Sequence, residues 1–85
     1  MLSRNGARRA AVSDMLLAMA LLRRMAKKLK ALRAERGWSQ VDLAARAGIS
    51  RVHLARIETE RLEPTLGVIE RLAKALKVKA GALLE

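Results

Sequence analysis

The chain has 85 residues, a length that accommodates one small domain. Its 18 Lys and Arg residues outnumber its 8 Asp and Glu residues, and the net charge of +10 indicates a polyanionic partner, either nucleic acid or an anionic membrane. The absence of cysteine excludes a disulfide framework and a thiolate metal site, and it fits a reducing cytoplasm. Trp38 is the only aromatic residue. Base stacking on aromatic side chains is therefore excluded, which favours duplex DNA over single strands or RNA.

Residues 1–9 are short, polar and basic, and we expect them to form a frayed arm. Arg4, Arg8 and Arg9 have the reach to contact a phosphate or a minor groove, as other N-terminal arms do. A solvated tail explains these residues at least as well.

An amphipathic helix is predicted next, with Ser13 as its N-cap and a start near Asp14. One apolar seam in it comprises Val12, Met15, Met19, Leu22, Ala26 and Leu29, and a second stripe comprises Leu17, Leu21 and Met25. Because this much apolar surface is not expected to lie in water, one stripe is predicted to dock on the domain and the other on a second protein. Three methionines in the segment suit an adaptable contact surface.

Three other interpretations of this segment compete with a protein contact. A basic start before an apolar run is typical of a targeting peptide, but Asp14 interrupts the run, Arg23 and Arg24 follow it at once, and no cleavage pattern ends it. The run is also too short to span a bilayer, and a helix over residues 15–30 that lies on a membrane surface is a distant alternative. The last interpretation is that the residues before Met25 are a dispensable extension.

Two short helical patterns follow, joined by the sequence AGIS. Ser39 is placed as the N-cap of the first, and Asp42 completes a capping box. Gly48 stands where that helix must stop, because glycine adopts the left-handed conformation without a Cβ penalty. Ser50 then caps the second helix. A helix, a short turn with a glycine and a second helix form the helix-turn-helix arrangement of DNA-binding proteins.

With its flanks, this motif resembles the Cro/C1-type (XRE) family over about residues 26–84. The positions that carry the resemblance are Gln40, Ala44, Gly48, Ile49, Leu54 and Ile57, the lead-in LRAERGWSQ and the following EPTLGVIERLAKAL. The alternative is a helical hairpin that does not touch DNA. The resemblance implies an all-α fold: a compact five-helix, lambda-repressor-like domain over residues 26–85, preceded by an arm and an additional amphipathic helix over residues 1–25.

The exposed face of the recognition helix, the second helix of the motif, is expected to contact base edges. The candidates are Arg51, Val52 and His53, with Arg56 one turn further on. Arginine can make a bidentate contact to guanine, and valine can meet a thymine methyl group. Gln40, Ser50 and Arg61 are expected to contact the DNA backbone. The resemblance also implies a structural ion pair between Arg33, in the first helix of the domain, and Glu58, which closes the recognition helix.

The C-terminal part of the chain is predicted to contain a further helix and a short closing helix over residues 78–84. Pro64 forbids a continuing helix and Thr65 caps the next one. Its predicted apolar face is Leu66, Ile69, Leu72, Ala73 and Leu76. The family often has glycine where this chain has Glu60 and Lys77. Lys77 therefore either adopts a left-handed conformation, at a cost of about 1 kcal/mol, or ends the helix differently.

No catalytic constellation is visible, because the chain has one histidine, no cysteine, no Gly-rich phosphate loop and no acidic cluster with metal-ligand spacing. We therefore expect no enzyme activity, no metal and no cofactor. The indicated function is sequence-specific duplex-DNA binding by a small prokaryotic or phage transcriptional regulator. We expect a repressor that binds an inverted repeat as a homodimer, joined through the N-terminal helix, residues 80–84 or both.

Such a regulator is expected in the cytoplasm, associated with the nucleoid, and without a membrane partner. The alternative function is that of an antitoxin. In that case the same domain binds DNA, and the N-terminal helix binds a toxin protein.

Overall fold

A computed structural model describes residues 4–85 of the chain, with side chains from Arg8 onward. Its elements are α1 (Arg4–Glu35), α2 (Gln40–Ala47), α3 (Arg51–Glu58), α4 (Leu66–Leu76) and a 3₁₀ turn (Ala80–Leu84). The described residues contain no strand, so the predicted all-α class is confirmed. The predicted count of helices is wrong for two reasons. The N-terminal helix and the first helix of the domain are one element, and the closing segment is a 3₁₀ turn.

The long helix α1 corrects the expected N-terminal boundaries. Ser13 lies inside the helix and does not cap it, and the expected arm is helical from Arg4; residues 1–3 of that arm lie outside the described part of the chain. The residues before Ser13 include alanines and arginines, which are strong helix formers, and no proline. The helix therefore continues through the serine. It also crosses the expected domain boundary at residues 25 and 26 without a break.

The core lies between the C-terminal half of α1 and the other elements. Its fully buried members are Leu29, Leu43, Leu54, Ile57, Leu72, Leu76 and Leu83. Met25 is also buried in this core, so the domain contacts α1 from Met25 or before. The 3₁₀ turn packs on α1 and α4 and contributes Leu83, which closes the core from the C-terminal side.

The helix-turn-helix unit is formed by α2 and α3, and local hydrogen bonds set its helix ends. The Ser39 side chain accepts a hydrogen bond from the Asp42 amide (3.1 Å), and the Asp42 carboxylate accepts one from the Ser39 amide (2.8 Å), which completes the capping box. Gly48 ends α2 at φ +70°, and Ser50 caps α3 by accepting from the His53 amide at 3.0 Å.

Helix α4 begins at the edge of the core and enters it after its first turn. Thr65 caps it by accepting a hydrogen bond from the Val68 amide at 3.2 Å. Leu72 and Leu76 are buried and Ile69 is half-buried, but Leu66 is 68% exposed. The expectation that Leu66 belongs to the buried face is therefore wrong, because the first turn of α4 extends past the residues that cover the rest of the helix.

Two residues occupy the left-handed region at positions where the family often has glycine. Lys77 ends α4 at φ 57° and ψ 41°, and Glu60 lies in the loop after α3 at φ 61°. Of the two outcomes expected for Lys77, the chain adopts the left-handed one. A side chain with a Cβ atom in this conformation costs about 1–2 kcal/mol, so each position stores a small strain.

Candidate nucleic-acid interface

Glu58, at the end of α3, is 2% exposed and is the only charged side chain among the buried residues of the described chain. Arg33 of α1 contacts it in a bidentate manner: Nε donates to Oε2 at 3.0 Å and Nη2 donates to Oε1 at 2.9 Å. The third guanidinium nitrogen, Nη1, donates to the Trp38 carbonyl at 3.0 Å. The hydrogen bonds that Arg33 donates to the Glu58 carboxylate raise the pKa of Arg33 above its ordinary value. The structure thus brings together the two residues of the expected ion pair.

Gln40, the first residue of α2, extends this contact toward the start of α3. Its Nε2 donates to Oε1 of Glu58 at 3.1 Å, and its Oε1 accepts from Nη1 of Arg51 at 3.3 Å. The orientation of the amide follows from its neighbours, because the carboxylate only accepts and the guanidinium only donates. A continuous chain of hydrogen bonds therefore connects Arg33, in the first helix, with Arg51, at the start of the recognition helix.

The surface of α3 that faces away from the core carries most of the expected base-contacting residues. Val52 is 50% exposed, and Arg56, one turn further on, is also exposed. Arg51 is exposed at the start of the helix, whereas His53 is half-buried. Since Leu54 and Ile57 are fully buried, α3 is held on one side only and leaves the opposite face free within the described chain.

The residues expected to contact the DNA backbone differ in their surroundings. Arg61 is exposed in the loop just after α3, and its amide donates to the Arg56 carbonyl at 2.8 Å. The Ser50 oxygen accepts from the His53 amide as an N-cap, which leaves its hydroxyl proton for another acceptor. Gln40 is half-buried, and its amide is held by Glu58 and Arg51.

Two arginines that sequence reasoning did not select also stabilise this arrangement. Arg36 donates from Nη2 to the Leu76 carbonyl at 2.6 Å and so satisfies the C-terminal end of α4. The guanidinium carbon of Arg46 lies 4.2 Å from the centre of the Trp38 ring, a cation–π distance. No local pattern predicts the Arg36 contact, because 40 residues separate its partners.

The part of the chain from Arg4 onward holds no group of three His, Asp or Glu side chains able to bind a metal ion. No helix within residues 4–85 has both the length and the apolar composition needed to cross a membrane.

Comparisons with known proteins agree with this geometry. A helix-turn-helix family model, HTH_3, matches residues 29–83. The chain is 41% identical over 58 residues to the immunity repressor protein of Bacillus phage phi105, a match that covers 68% of the chain and 40% of that protein. It is 37% identical over 60 residues to a hypothetical transcription factor of Neisseria meningitidis serogroup B, covering 71% of the chain and 57% of that protein. The chain therefore spans about half the length of these relatives.

Solved structures of similar proteins share the fold. The hypothetical transcription factor NHTF from Neisseria superimposes with a TM-score of 0.75 at 34% identity, covering 79% of this chain and 75% of that one. The restriction-modification controller protein C.AhdI from Aeromonas hydrophila gives 0.70 at 31% identity, covering 73% and 94%. SinR, a master regulator for biofilm formation solved in complex with DNA, gives 0.68 at 29% identity, covering 72% and 98%. The family match over most of the domain shows that the chain belongs to the Cro/C1-type (XRE) helix-turn-helix family of DNA-binding transcriptional regulators.

Proposed function

We propose that this protein is a transcriptional repressor that binds duplex DNA sequence-specifically, as a homodimer on an inverted repeat. The observation that carries the proposal is the geometry of the recognition helix α3. Its C-terminal residue Glu58 is bound to Arg33 of α1, and Arg51, Val52 and Arg56 are exposed on its surface. The immunity repressor among its relatives and the DNA complex of SinR support the same function.

Base readout in this proposal depends on α3 lying in the major groove. Arg56 and Arg51 have the donors for a bidentate contact to the O6 and N7 atoms of guanine, and Val52 has the methyl groups for contact with thymine. Gln40 restrains Arg51 through the 3.3 Å hydrogen bond, so this arginine is partly oriented before DNA arrives. Pre-orientation reduces the side-chain entropy lost on binding. His53 is half-buried and has a smaller share of the contact.

Contacts to the DNA backbone fix the register of α3. The N-terminus of α2 at Gln40 and the hydroxyl of Ser50 offer donors to phosphates on one side of the groove, and Arg61 offers a charge on the other. The net charge of +10 adds a general attraction to DNA that does not depend on sequence.

A homodimer follows from the small size of the reading surface. Helix α3 has 8 residues and contacts few base pairs, so one copy has limited specificity. Two copies related by a two-fold axis double the contact, with half-sites about one helical turn apart. Repression then results from occupancy of a promoter by the dimer, at the nucleoid in the cytoplasm.

Selection of bound sequences from a pool of random duplexes tests the proposal. The expected result is an inverted repeat whose half-sites are about 10 base pairs apart, centre to centre. A pool of single strands, treated in the same way, is the control and is expected to yield no motif. Failure to enrich any sequence from the duplex pool contradicts the proposal.

A further inference from the structure

An open cleft lies between the C-terminal end of α2 and the outer side of α4. Its volume is about 630 Å³, which falls within the range of sites that bind small ligands. None of the residues expected to contact bases or the DNA backbone lines this cleft, and no residue of α3 does. The residues around it include Arg46, Ala47 and Gly48 at the end of α2, and Arg71, Lys74 and Ala75 of α4.

The charged side chains that line the cleft are all cationic. Arg46, Arg71 and Lys74 are exposed, and none of them forms a salt bridge with any residue that the structure describes. Three positive charges around one concave surface attract an anion and repel one another while the cleft is empty. The cleft is therefore complementary to a ligand with several negative charges.

The acidic residues of the same two helices do not neutralise this charge. Asp42 lies in the first turn of α2, and its carboxylate accepts a hydrogen bond from the Ser39 amide at 2.8 Å. Glu70 of α4 is exposed and does not line the cleft. Neither carboxylate forms a salt bridge with a described residue. An acidic ligand therefore meets the three cations without displacing an acidic side chain of the domain.

Local structure accounts for two of the three cations. Arg46 and Lys74 lie in the last turns of α2 and α4, where a positive charge complements the helix dipole. Arg71 lies before the last turn of α4 and has no such role. Arg46 is also oriented, because its guanidinium carbon lies 4.2 Å from the centre of the Trp38 ring. An arginine that is already oriented loses less side-chain freedom when it binds an anion.

The uncharged part of the cleft favours a peptide over a phosphate group. Guanidinium and ammonium groups bind carboxylates and phosphates alike. The carbonyls of Arg46 and Ala47, however, accept no hydrogen bond from residues 4–85. Phosphate groups act mainly as acceptors, whereas a peptide also brings backbone N–H donors for such carbonyls. The apolar lining consists of the short side chains Ala45, Ala47 and Ala75, which leave room for a main chain.

We propose that this cleft binds an extended acidic segment of a partner protein, whose carboxylates contact Arg46, Arg71 and Lys74. Recognition of acidic motifs by clusters of basic side chains is a recurring mode of peptide binding. The site is additional to the DNA interface of the proposed function and does not depend on it. Because no residue of α3 lines the cleft, the domain can hold DNA and the acidic segment at the same time.

Titration of defined peptides with the full chain tests the ligand class. A fluorescently labelled hexapeptide of glutamate is the probe, and a hexapeptide of glutamine is its uncharged control. At about 0.15 M salt, where attraction over long distances is screened, fluorescence anisotropy is expected to show that hexaglutamate binds with a Kd on the order of 100 μM. Hexaglutamine is expected not to bind. Equal binding of the two peptides overturns the proposal, as does a failure of hexaglutamate to bind.

Two matched double variants test the location of the site. Arg71→Gln with Lys74→Gln removes two charges from the cleft, and Lys27→Gln with Lys30→Gln removes two exposed charges from α1. Glutamine has a similar helix propensity, and circular dichroism checks that both variants remain helical. The cleft variant is expected to raise the Kd of hexaglutamate at least about 10-fold, because two charge-assisted hydrogen bonds are lost. The α1 variant is expected to raise it less than about 2-fold. Equal weakening by both variants shows a general attraction to the basic chain and overturns the proposal.

Two competitors separate the cleft from other anion sites. One equivalent of a duplex with the selected sequence is expected to leave hexaglutamate bound, whereas displacement by the duplex places the peptide on α3 and overturns the proposal. Inorganic phosphate at an equal concentration of charge is expected not to displace the peptide. Displacement by phosphate shows a general anion site and overturns the assignment of a peptide. A chain that binds hexaglutamate in the cleft but binds no duplex contradicts the proposed function and leaves the cleft site standing.

Discussion

Glu58 is the residue through which α1, α2 and α3 are joined by side-chain hydrogen bonds. Its carboxylate accepts two from Arg33 and one from Gln40, all between 2.9 and 3.1 Å. A carboxylate that is 2% exposed has lost its water and depends on these donors. Because Glu58 closes α3, the direction of the recognition helix is tied to the integrity of this contact.

The first prediction concerns the coupling between Arg33 and Glu58. Arg33→Met leaves Glu58 buried without its charge partner, and Glu58→Leu leaves Arg33 unpaired. Each single change is expected to cost about 3–5 kcal/mol of unfolding free energy, and the double variant is expected to recover much of that loss. Thermal or denaturant unfolding of all four proteins measures the coupling.

The exposed pair Arg23–Glu60 provides the control for that cycle. Its atoms are 3.6 Å apart, and its side chains are 76% and 42% exposed. Arg23→Met is expected to change stability by less than about 0.5 kcal/mol. Single changes at Arg33 and Glu58 that simply add in the double variant would show that Leu54 and Ile57 alone hold the recognition helix.

The second prediction concerns acid sensitivity at the start of α2. The hydrogen bond from the Ser39 amide, followed by the Ser39 side chain, lowers the pKa of Asp42. A folded-state pKa below the unfolded one means that the charged carboxylate stabilises the fold at neutral pH and that this stabilisation is lost as the pH falls through the lowered pKa. The wild-type protein is therefore expected to have a higher melting temperature than Asp42→Asn at pH 7. This difference in melting temperature is expected to shrink below about pH 4.

Melting curves of the two proteins across this pH range provide the measurement. The asparagine keeps an acceptor for the Ser39 amide but carries no charge, so the comparison isolates the ionised form. A difference between the two melting temperatures that stays constant into strong acid contradicts the assignment.

Residues that act locally could be predicted from the sequence, and residues that act across the fold could not. The capping box of Ser39 and Asp42 spans three residues, so the chain itself displays it. The bridge from Gln40 to Glu58 spans 18 residues, and it depends on how α2 docks against α3. The resemblance to a family supplied the Arg33–Glu58 pair, which no local pattern contains.

The third prediction concerns the C-terminal ends of α2 and α4. Both ends adopt nearly the same left-handed backbone conformation, one with a glycine and the other with a lysine. Gly48 ends α2 at φ 70° and ψ 33°, and Lys77 ends α4 at φ 57° and ψ 41°. Lys77→Gly is expected to stabilise the domain by about 0.5–1 kcal/mol, because relief of the left-handed strain exceeds the added chain entropy of glycine. Gly48→Ala is expected to destabilise it by about 1 kcal/mol.

Chemical unfolding of both variants measures these changes against wild type. The space beside Gly48 is open, with no atom within 4 Å of the position that an alanine Cβ would take. A loss of stability in Gly48→Ala therefore reports the backbone conformation and not a clash. A destabilising Lys77→Gly contradicts the strain assigned to that helix end.

At the level of elements, the existence of the helices was predictable and their ends were less so. A serine N-cap stabilises a helix start by about 1 kcal/mol, which does not stop a helix whose preceding residues also favour helix. Ser13 was therefore a misleading signal in α1. The exposure of Leu66 could not be predicted for a different reason. Helical periodicity indicates on which face of a helix a residue lies, but not how far along the helix the neighbouring elements pack against that face.

The fold of the whole domain was predictable because the helix-turn-helix motif has a recognisable order of caps, glycine and apolar positions. The direction in which α1 projects was not, because it depends on one unbroken helix that the domain covers at one end only.

The fourth prediction uses the charge of the whole molecule. If about six phosphates are neutralised by each domain, the logarithm of duplex affinity is expected to fall with the logarithm of salt concentration at a slope of about −5. Fluorescence anisotropy with a labelled duplex at several salt concentrations measures the slope. The control is Asp14→Asn on the projecting part of α1, which is expected to leave the slope for a single half-site unaltered. A salt response near zero contradicts a binding mode based on phosphate contacts.

Base readout by α3 is tested most directly by comparing Arg51→Ala with Arg61→Ala on two duplexes, the selected site and a scrambled version of it. Arg51→Ala is expected to lose about 1–3 kcal/mol on the selected site and little on the scrambled one, because it removes a base contact. Arg61→Ala is expected to weaken both duplexes alike, because it removes a phosphate contact. If Arg51→Ala leaves the preference for the selected site unchanged, α3 does not read DNA through this residue and the proposed base readout is contradicted.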